Sequence, residues 1–347
     1  MNGMKYDSKD WERRMPSIGC VVEENDEEGI EIEIFPDRTD LLSHETISRA
    51  ARSFLNSAID SPGLEIKQGD IRMEVDKSLE QIRPVILGAV VRGVDNGTNS
   101  AEKDDFIQSL MDHQEKLHLT LGRKRKFASI GVHDLSKLKP PFKVITVDEN
   151  YKFVPLAEKK EMSIDEILEN HPKGKDYAHL MEDLDKFPVI IDSEQRVLSF
   201  PPIINGDHTT VTEQTKDFFI DVTGWDERAC EACLLLICLS MSERGGIIES
   251  IQIKNWNDDS MITPRGDSKN HKVPDRLIKN ILGIELSKDE ISNSIRKMGG
   301  ELVETRTVTD GPDKLERWAD CIVGEKEHVI SMPRWRSDIM HPVDIVE

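Results

Sequence analysis

Positive charge is scarce in this chain relative to negative. Its 347 residues carry 46 Lys and Arg against 66 Asp and Glu, a net charge of −20 with a pI near 5.0. A protein that coats nucleic acid neutralises many phosphates with its own cations, so this balance argues against a general coat protein. It leaves room for an RNA enzyme with a locally basic surface, because the field at a site depends on where charges sit. No run of eighteen apolar residues occurs, so no transmembrane helix and no membrane role are expected. The opening MNGMKYDSKDWERRM lacks the apolar core of a secretory signal. Cysteine is limited to Cys20, Cys230, Cys233, Cys238 and Cys321, an odd count with three members in one apolar stretch. Reduced thiols in a cytoplasmic protein are expected. Cys230 and Cys233 have CxxC spacing, but no second CxxC and no His at zinc spacing accompany them, so they read as core residues. Walker loops, dinucleotide fingerprints and a Ser-His-Asp arrangement are also missing.

A hydrophobic content of 37% and a mean hydropathy of −0.47 fit a soluble globular chain, and its length suggests two or three domains. The first unit (1–82) is expected to be α+β and to begin its compact part near Met15. GIEIEIFP (29–36) alternates apolar and acidic residues and predicts a strand with one wet face; ETISRAARSFL predicts a helix, and Ser61-Pro62-Gly63 a turn. A second unit (83–254) opens on the β-branched strand RPVILGAVVRGV and a long polar helix from about Ser100 to Leu119. Further strands are expected at FASIGVHDL, FKVITVD, PVIID, RVLSF, FFIDVTG and IIESIQIK. A capping box at Ser163 opens a short helix before Pro172, and ERACEACLLLICLSMSERGG is a helix stopped by Gly245-Gly246. The polar stretch 255–271 reads as a linker. In the last unit (272–347) a second capping box at Ser287 opens a helix ending at Gly299-Gly300, and two strand-like runs follow in a winged-helix-like order. Strands and helices mix without a βαβ rhythm, so the fold class is α+β, multidomain.

Four segments carry chemical interest. IFPDRTDLLSHETISRAARSFL (34–55) has a Pro-Asp-Arg turn in which Asp37 and Arg38 read as an ion pair. In HQEKLHLTLGRKRKFASIGVHDLSKLKPPF (113–142), Arg123, Lys124, Arg125 and Lys126 form a cationic run between a helix and a strand. By residue type this is either a solvated basic loop or a phosphate-binding one. VLSFPPIINGDHTTVTEQTKDFFIDVTGWD (197–226) places Ser199, Asn205, Asp221 and Thr223 at strand ends, where a hydroxyl, an amide and a carboxylate can grip a small polar ligand. Asp221 and Thr223 also suit the cap of the following helix. In MPRWRSDIMHPVDIVE (332–347), Asp338, Asp344 and Glu347 stand at i, i+6 and i+9. If a helix begins near Pro342, the last two share a face suited to a hard cation, or simply form an acidic helix start.

Taken in this order, the four segments resemble phenylalanyl-tRNA synthetase beta subunits of the archaeal and eukaryotic cytosolic type, over roughly residues 15–347. The resemblance implies that 83–254 is a mixed-sheet editing domain that hydrolyses tyrosine wrongly esterified to tRNA(Phe). It implies catalytic roles for Ser199, Asp221 and Thr223, substrate binding by Asn205, and RNA contact by Arg123, Lys124, Arg125 and Lys126. It further implies a magnesium motif begun by Asp338, Asp344 and Glu347, whose next acidic member would be residue 348. The chain stops inside an element and reads as truncated before the catalytic-like module. In an intact enzyme the partner would be an alpha subunit in an alpha2-beta2 tetramer, with ATP used by the whole enzyme to charge tRNA(Phe). Two rivals are a free-standing editing deacylase and a non-catalytic tRNA-binding or assembly module.

Overall fold

The computed structural model describes residues 7–26, 29–56 and 63–347. The chain forms two compact units: Glu65–Arg265, and a unit assembled from both flanks, Met1–Leu64 with Gly266–Glu347. In the N-terminal flank, helix α1 (Ser8–Arg14) is capped by the Asp7 side chain. Strands β1 (Cys20–Asn25) and β2 (Ile30–Ile34) pair antiparallel, and helix α2 (His44–Ala51) starts at a reciprocal Ser43–Thr46 capping box. Helix α1 buries none of its residues, and the core of this flank gathers Met15, Ile18, Cys20 and Leu41. Ser61 and Pro62 of the expected turn lie outside the described residues.

The central unit contains β3 (Ile66–Val75), β4 (Val85–Arg92), α3 (Ser100–Leu119), β5 (Ala128–Asp134) and β6 (Phe142–Val147). A two-residue pair, β7 (Lys152–Phe153) and β8 (Met162–Ser163), precedes α4 (Ile164–Asn170) and α5 (Pro172–Tyr177). Then come β9 (Phe187–Ile191), β10 (Val197–Phe200), β11 (Ile204–Asn205), β12 (Phe218–Gly224), α6 (Glu227–Ser242), β13 (Ile247–Lys254) and β14 (Ser260–Thr263). All but β7 and β8 join one mixed sheet of ten strands, ordered β11-β10-β9-β6-β3-β13-β4-β12-β5, with β14 beside β13. β3 runs parallel to both β13 and β6. Every residue of β5 and β12 is buried, and the polar Ser129, His133, Asp134, Asp221 and Thr223 are buried with the apolar ones. Helix α6 packs across β4, β12 and β5 and buries twelve of its sixteen residues, Cys230, Cys233 and Cys238 among them. An all-round apolar helix is what such a covered position requires.

The C-terminal flank adds β15 (Lys269–Pro274), α7 (Asp275–Leu282), α8 (Lys288–Lys297), β16 (Glu301–Thr307), β17 (Lys326–Met332) and α9 (Pro342–Val346). The sheet order β15-β17-β16 with two helices gives the winged-helix-like arrangement. Its core gathers Val273, Leu277, Ile278, Ile291, Ile295, Ile330 and Met332.

The expected domain boundaries shift for two physical reasons. β3 lies within the stretch 1–82 but occupies the middle of the large sheet, so the first boundary falls at Leu64 rather than at residue 82. The stretch 255–271 is no linker: it carries β14 and the start of β15. The two flanks, moreover, are one unit. Thr39 Oγ1 and Ser337 Oγ lie 3.1 Å apart, and Ser53 Oγ donates to the Arg296 carbonyl at 2.9 Å. Arg38 pairs with Asp40 at 2.8 Å. Arg336, whose side chain is 8% exposed, pairs with Asp338 at 2.6 Å and lies 4.0 Å from Asp40. Burial works against a charge on Asp40, but Arg336 and Arg38 outweigh it and hold the carboxyl below the usual carboxylate range.

Removing one member of such a buried cluster leaves unmatched charge. Arg336→Ala is expected to destabilise this unit by about 3–5 kcal/mol, read as faster hydrogen exchange in 269–274 and 326–332. Unchanged exchange there would show that the cluster does not hold the flanks together.

Candidate functional site

The two ends of the large sheet meet. Asn205 on β11 donates through Nδ2 to the Val132 carbonyl on β5 at 3.4 Å, which curls the sheet towards closure. Across this seam lies a buried polar constellation. On β12, Phe219, Asp221 and Thr223 share a face by strand alternation; their register partners on β5 are His133, Gly131 and Ser129. His133 Nε2 meets Asp221 Oδ2 at 2.6 Å, and His133 Nδ1 meets Thr209 Oγ1 at 2.9 Å. All three residues are at most 1% exposed.

Both ring nitrogens of His133 are thus engaged, and Thr209 Oγ1 also lies 2.9 Å from the Gly206 carbonyl, which fixes the hydroxyl between the loop backbone and the imidazole. With Oδ2 committed to the imidazole, Asp221 offers a ligand its other oxygen, Oδ1, which makes no hydrogen bond among the described residues. Gly131 makes this possible, because a Cβ there would lie 2.1 Å from Asp221 Oδ2 and 2.7 Å from His133 Nε2. His208, in the same loop as Asn205 and Thr209, is half-buried, and desolvation together with Arg196 lowers its pKa.

Thr223 belongs to a second constellation. Buried Arg83 donates Nε to Thr223 Oγ1 at 2.7 Å, and Nη2 to the carbonyls of Thr223 and Arg125 and to Ser129 Oγ, at 2.8, 3.0 and 3.0 Å. Thr223 thereby anchors a guanidinium. Burial lowers the Arg83 pKa to about 10, with Cys230 and Asp221 pulling the other way. Ser199 is buried on β10 opposite Asn205, and no hydrogen bond connects it with Asp221 or Thr223. The expected site residues are therefore divided: Asp221 stands with His133 and Thr209, Asn205 closes the seam, and Thr223 holds Arg83.

The cationic run is a turn with three successive left-handed residues, Arg123 (φ 44°), Lys124 (φ 54°) and Arg125 (φ 67°), a conformation costly for residues bearing a Cβ. Arg123, Lys124 and Lys126 are exposed. Arg125 is not, contrary to its expected place on an RNA-binding surface. The backbone turns it inward, where it donates to the Pro202 and Ile203 carbonyls at 3.1 and 3.0 Å and to Glu115 at 2.6 Å. Its guanidinium also lies 4.4 Å from the Tyr177 ring centroid. Arg125 thus ties the turn to the 201–209 loop of the seam.

The carboxylates expected to start a magnesium site are otherwise engaged. Helix α9 begins at Pro342 as expected. Asp338, however, neutralises Arg336, and Asp344 Oδ2 accepts from the backbone N–H groups of Met340 and His341 at 2.7 and 2.6 Å. Among the described residues no three His, Cys, Asp or Glu side chains, Glu347 included, converge as a cation site. The residues present do not fit a magnesium ion on their own.

Residues 82–233, which span both constellations, match the family described as B3/4 domain. Over 99% of its length the chain superposes, with a TM-score of 0.85 and 32% identity, on the crystal structure of an N-terminal fragment of the phenylalanyl-tRNA synthetase beta-subunit from Pyrococcus horikoshii, covering 94% of that fragment. It is 41% identical over 334 residues to the phenylalanine–tRNA ligase beta subunit of Methanococcoides burtonii, and 42% identical over 335 residues to that of Methanosarcina barkeri. Both alignments cover 96% of the chain and 57% of the relative. The chain belongs to the phenylalanyl-tRNA synthetase beta-subunit family.

His133, Thr209, Arg83 and Ser129 escaped sequence reasoning. Nothing local marks them, because their partners lie far along the chain.

The anchor of the basic turn should be pH-sensitive. A hydrogen bond from His118, opposed by partial burial and helped by Arg125, lowers Glu115 to about 2. A depressed carboxylate contributes its stability above its unfolded pKa of about 4.3 and loses it as pH falls through the folded value. Amides 120–127 should therefore lose protection between about pH 4 and pH 2, and Glu115→Gln should abolish that step. A step that persists in Glu115→Gln assigns it to another carboxylate.

Proposed function

We propose that this chain is the tRNA-binding and editing portion of a phenylalanyl-tRNA synthetase beta subunit, and that its central unit hydrolyses tyrosyl-tRNA(Phe). The observation that carries this reading is the buried Asp221 carboxylate, held by His133 through one oxygen with the other uncommitted, inside the region matching a B3/4 domain.

Selectivity follows from the cost of an unpaired buried group. A pocket shaped for phenylalanine rejects an added hydroxyl by only about a hundredfold, whereas a site built to bond that hydroxyl strongly disfavours the analogue lacking it. Asp221 Oδ1 accepts from the tyrosyl O–H, and phenylalanine leaves that oxygen unpaired. Hydrolysis itself requires water to attack the ester carbonyl carbon, an oxyanion to be stabilised, and the carbon–oxygen bond to the tRNA ribose to break. The ribose oxygen leaves with a proton, and tyrosine is released. Backbone N–H groups and the Asn205 amide are donors suited to the oxyanion. Ser199 and Thr223 shape and brace the pocket, and Arg123, Lys124 and Lys126 contact the RNA backbone.

In the larger assembly this portion would act beside an alpha subunit, as an alpha2-beta2 tetramer in the cytoplasm that uses ATP to charge tRNA(Phe). The chain spans 57% of the curated relatives reported above, and that activity is proposed for the whole enzyme. Magnesium would serve the ATP-dependent reaction; no step of the editing chemistry runs through it.

Asp221→Ala is expected to lower hydrolysis of tyrosyl-tRNA(Phe) by about 10²-fold or more, and Thr209→Val to lower it less by freeing the His133 ring. Phenylalanyl-tRNA(Phe) should be spared by the unaltered chain. Equal cleavage of both esters, or full activity in Asp221→Ala, would sink the assignment.

A further inference from the structure

Trp225 is half exposed, at 50%. Its position is held firmly. The Trp225 and Asp226 N–H groups both donate to the Phe127 carbonyl, at 3.0 and 3.3 Å. Gly224 permits this approach, since a Cβ there would lie 1.9 Å from the same oxygen. Phe127 is the residue directly after the cationic turn, and its ring carries the Arg123 guanidinium at 4.7 Å. Exposed Arg123, Lys124 and Lys126 therefore stand on one rigid piece of backbone with an exposed indole. Of the acidic residues that follow, Asp226 caps α6 through the Ala229 N–H at 2.7 Å, and Glu231 and Glu227 pair with Arg265 at 2.6 and 3.3 Å.

We propose that Trp225, flanked by Arg123, Lys124 and Lys126, is a stacking platform for an unpaired nucleotide at the end of an RNA strand. The proposal rests on the reading above that the chain binds tRNA(Phe), and it identifies the RNA feature bound here as the single-stranded 3′ end. Three exposed cations on a turn whose next residue, Phe127, bonds the Trp225 backbone suit a short unpaired segment, where stacking supplies affinity without sequence readout and the cations hold adjacent phosphates. They are too few to grip a long duplex, which needs many phosphate contacts. An apolar protein partner is disfavoured by the charges that rim the ring. The indole also directly follows β12, the strand that carries Asp221 and Thr223, so a nucleotide stacked there lies at the end of the strand that carries the proposed pocket.

The test measures binding of uncharged tRNA(Phe) to the full chain across a salt series, with the RNA intact or lacking its unpaired 3′ nucleotides. Trp225→Ala should weaken binding of intact tRNA about tenfold, leave the trimmed tRNA unaffected and keep the salt slope. Trp225→Phe should restore most of the loss, which excludes misfolding as its cause. The double variant Lys124→Ala, Lys126→Ala should weaken intact tRNA and flatten its salt slope. If Trp225→Ala binds intact tRNA normally while the lysine variant is impaired, stacking is refuted and RNA binding stands. Equal weakening of both RNAs by Trp225→Ala also refutes it. Failure of the unaltered chain to bind either RNA overturns the platform and the tRNA-binding reading together.

Discussion

A guanidinium removed from water must find acceptors for its hydrogens, and the central unit is organised around that demand at Arg83. Its partners come from the end of β12, the start of β5 and the carbonyl of Arg125, so one side chain joins two strands and the cationic turn. Loss of any partner would leave part of a buried charge unsatisfied, a penalty of several kcal/mol in most proteins. The turn is consequently no free loop. It is tied by Arg83 below and by Arg125 to the Pro202–Ile203 carbonyls on one side. Its three left-handed residues persist because the surroundings determine their conformation.

That arrangement links the surface and the seam. The segment that presents Arg123, Lys124 and Lys126 to solvent is the segment whose Arg125 holds the 201–209 loop, and that loop supplies Thr209 to His133. The exposed cations and the geometry at Asp221 therefore share a mechanical support. The buried His133–Asp221 pair fixes one carboxylate oxygen and leaves the second available, which suits recognition of a hydroxyl better than abstraction of a proton.

The other unit shows a different economy. Its two halves are separated by the whole of Glu65–Arg265, yet they share the charge cluster of Arg38, Asp40, Arg336 and Asp338. The acidic motif near the end of the chain is partly absorbed into that cluster. Asp338 serves Arg336, and Asp344 serves backbone N–H groups at the start of α9.

Local signals in the sequence determined much of the element order. The helix from Ser100 to Leu119, the capping boxes at Ser163 and Ser287 and the buried helix of Cys230 and Cys233 all follow from periodicity and capping chemistry, which act within a few residues. β3 went unread because IKQGDIRMEV is polar enough to pass for loop, and only its pairing with β13 and β6 makes it a central strand. For the same reason Asp221 was legible as a polar group at a strand end, while His133 and Thr209 were not. Tertiary structure alone decided that Arg125 faces inward, that Thr223 braces Arg83 and that the flanks close into one unit. Each of these depends on contacts between residues tens to hundreds of positions apart, and no spacing along the chain encodes them.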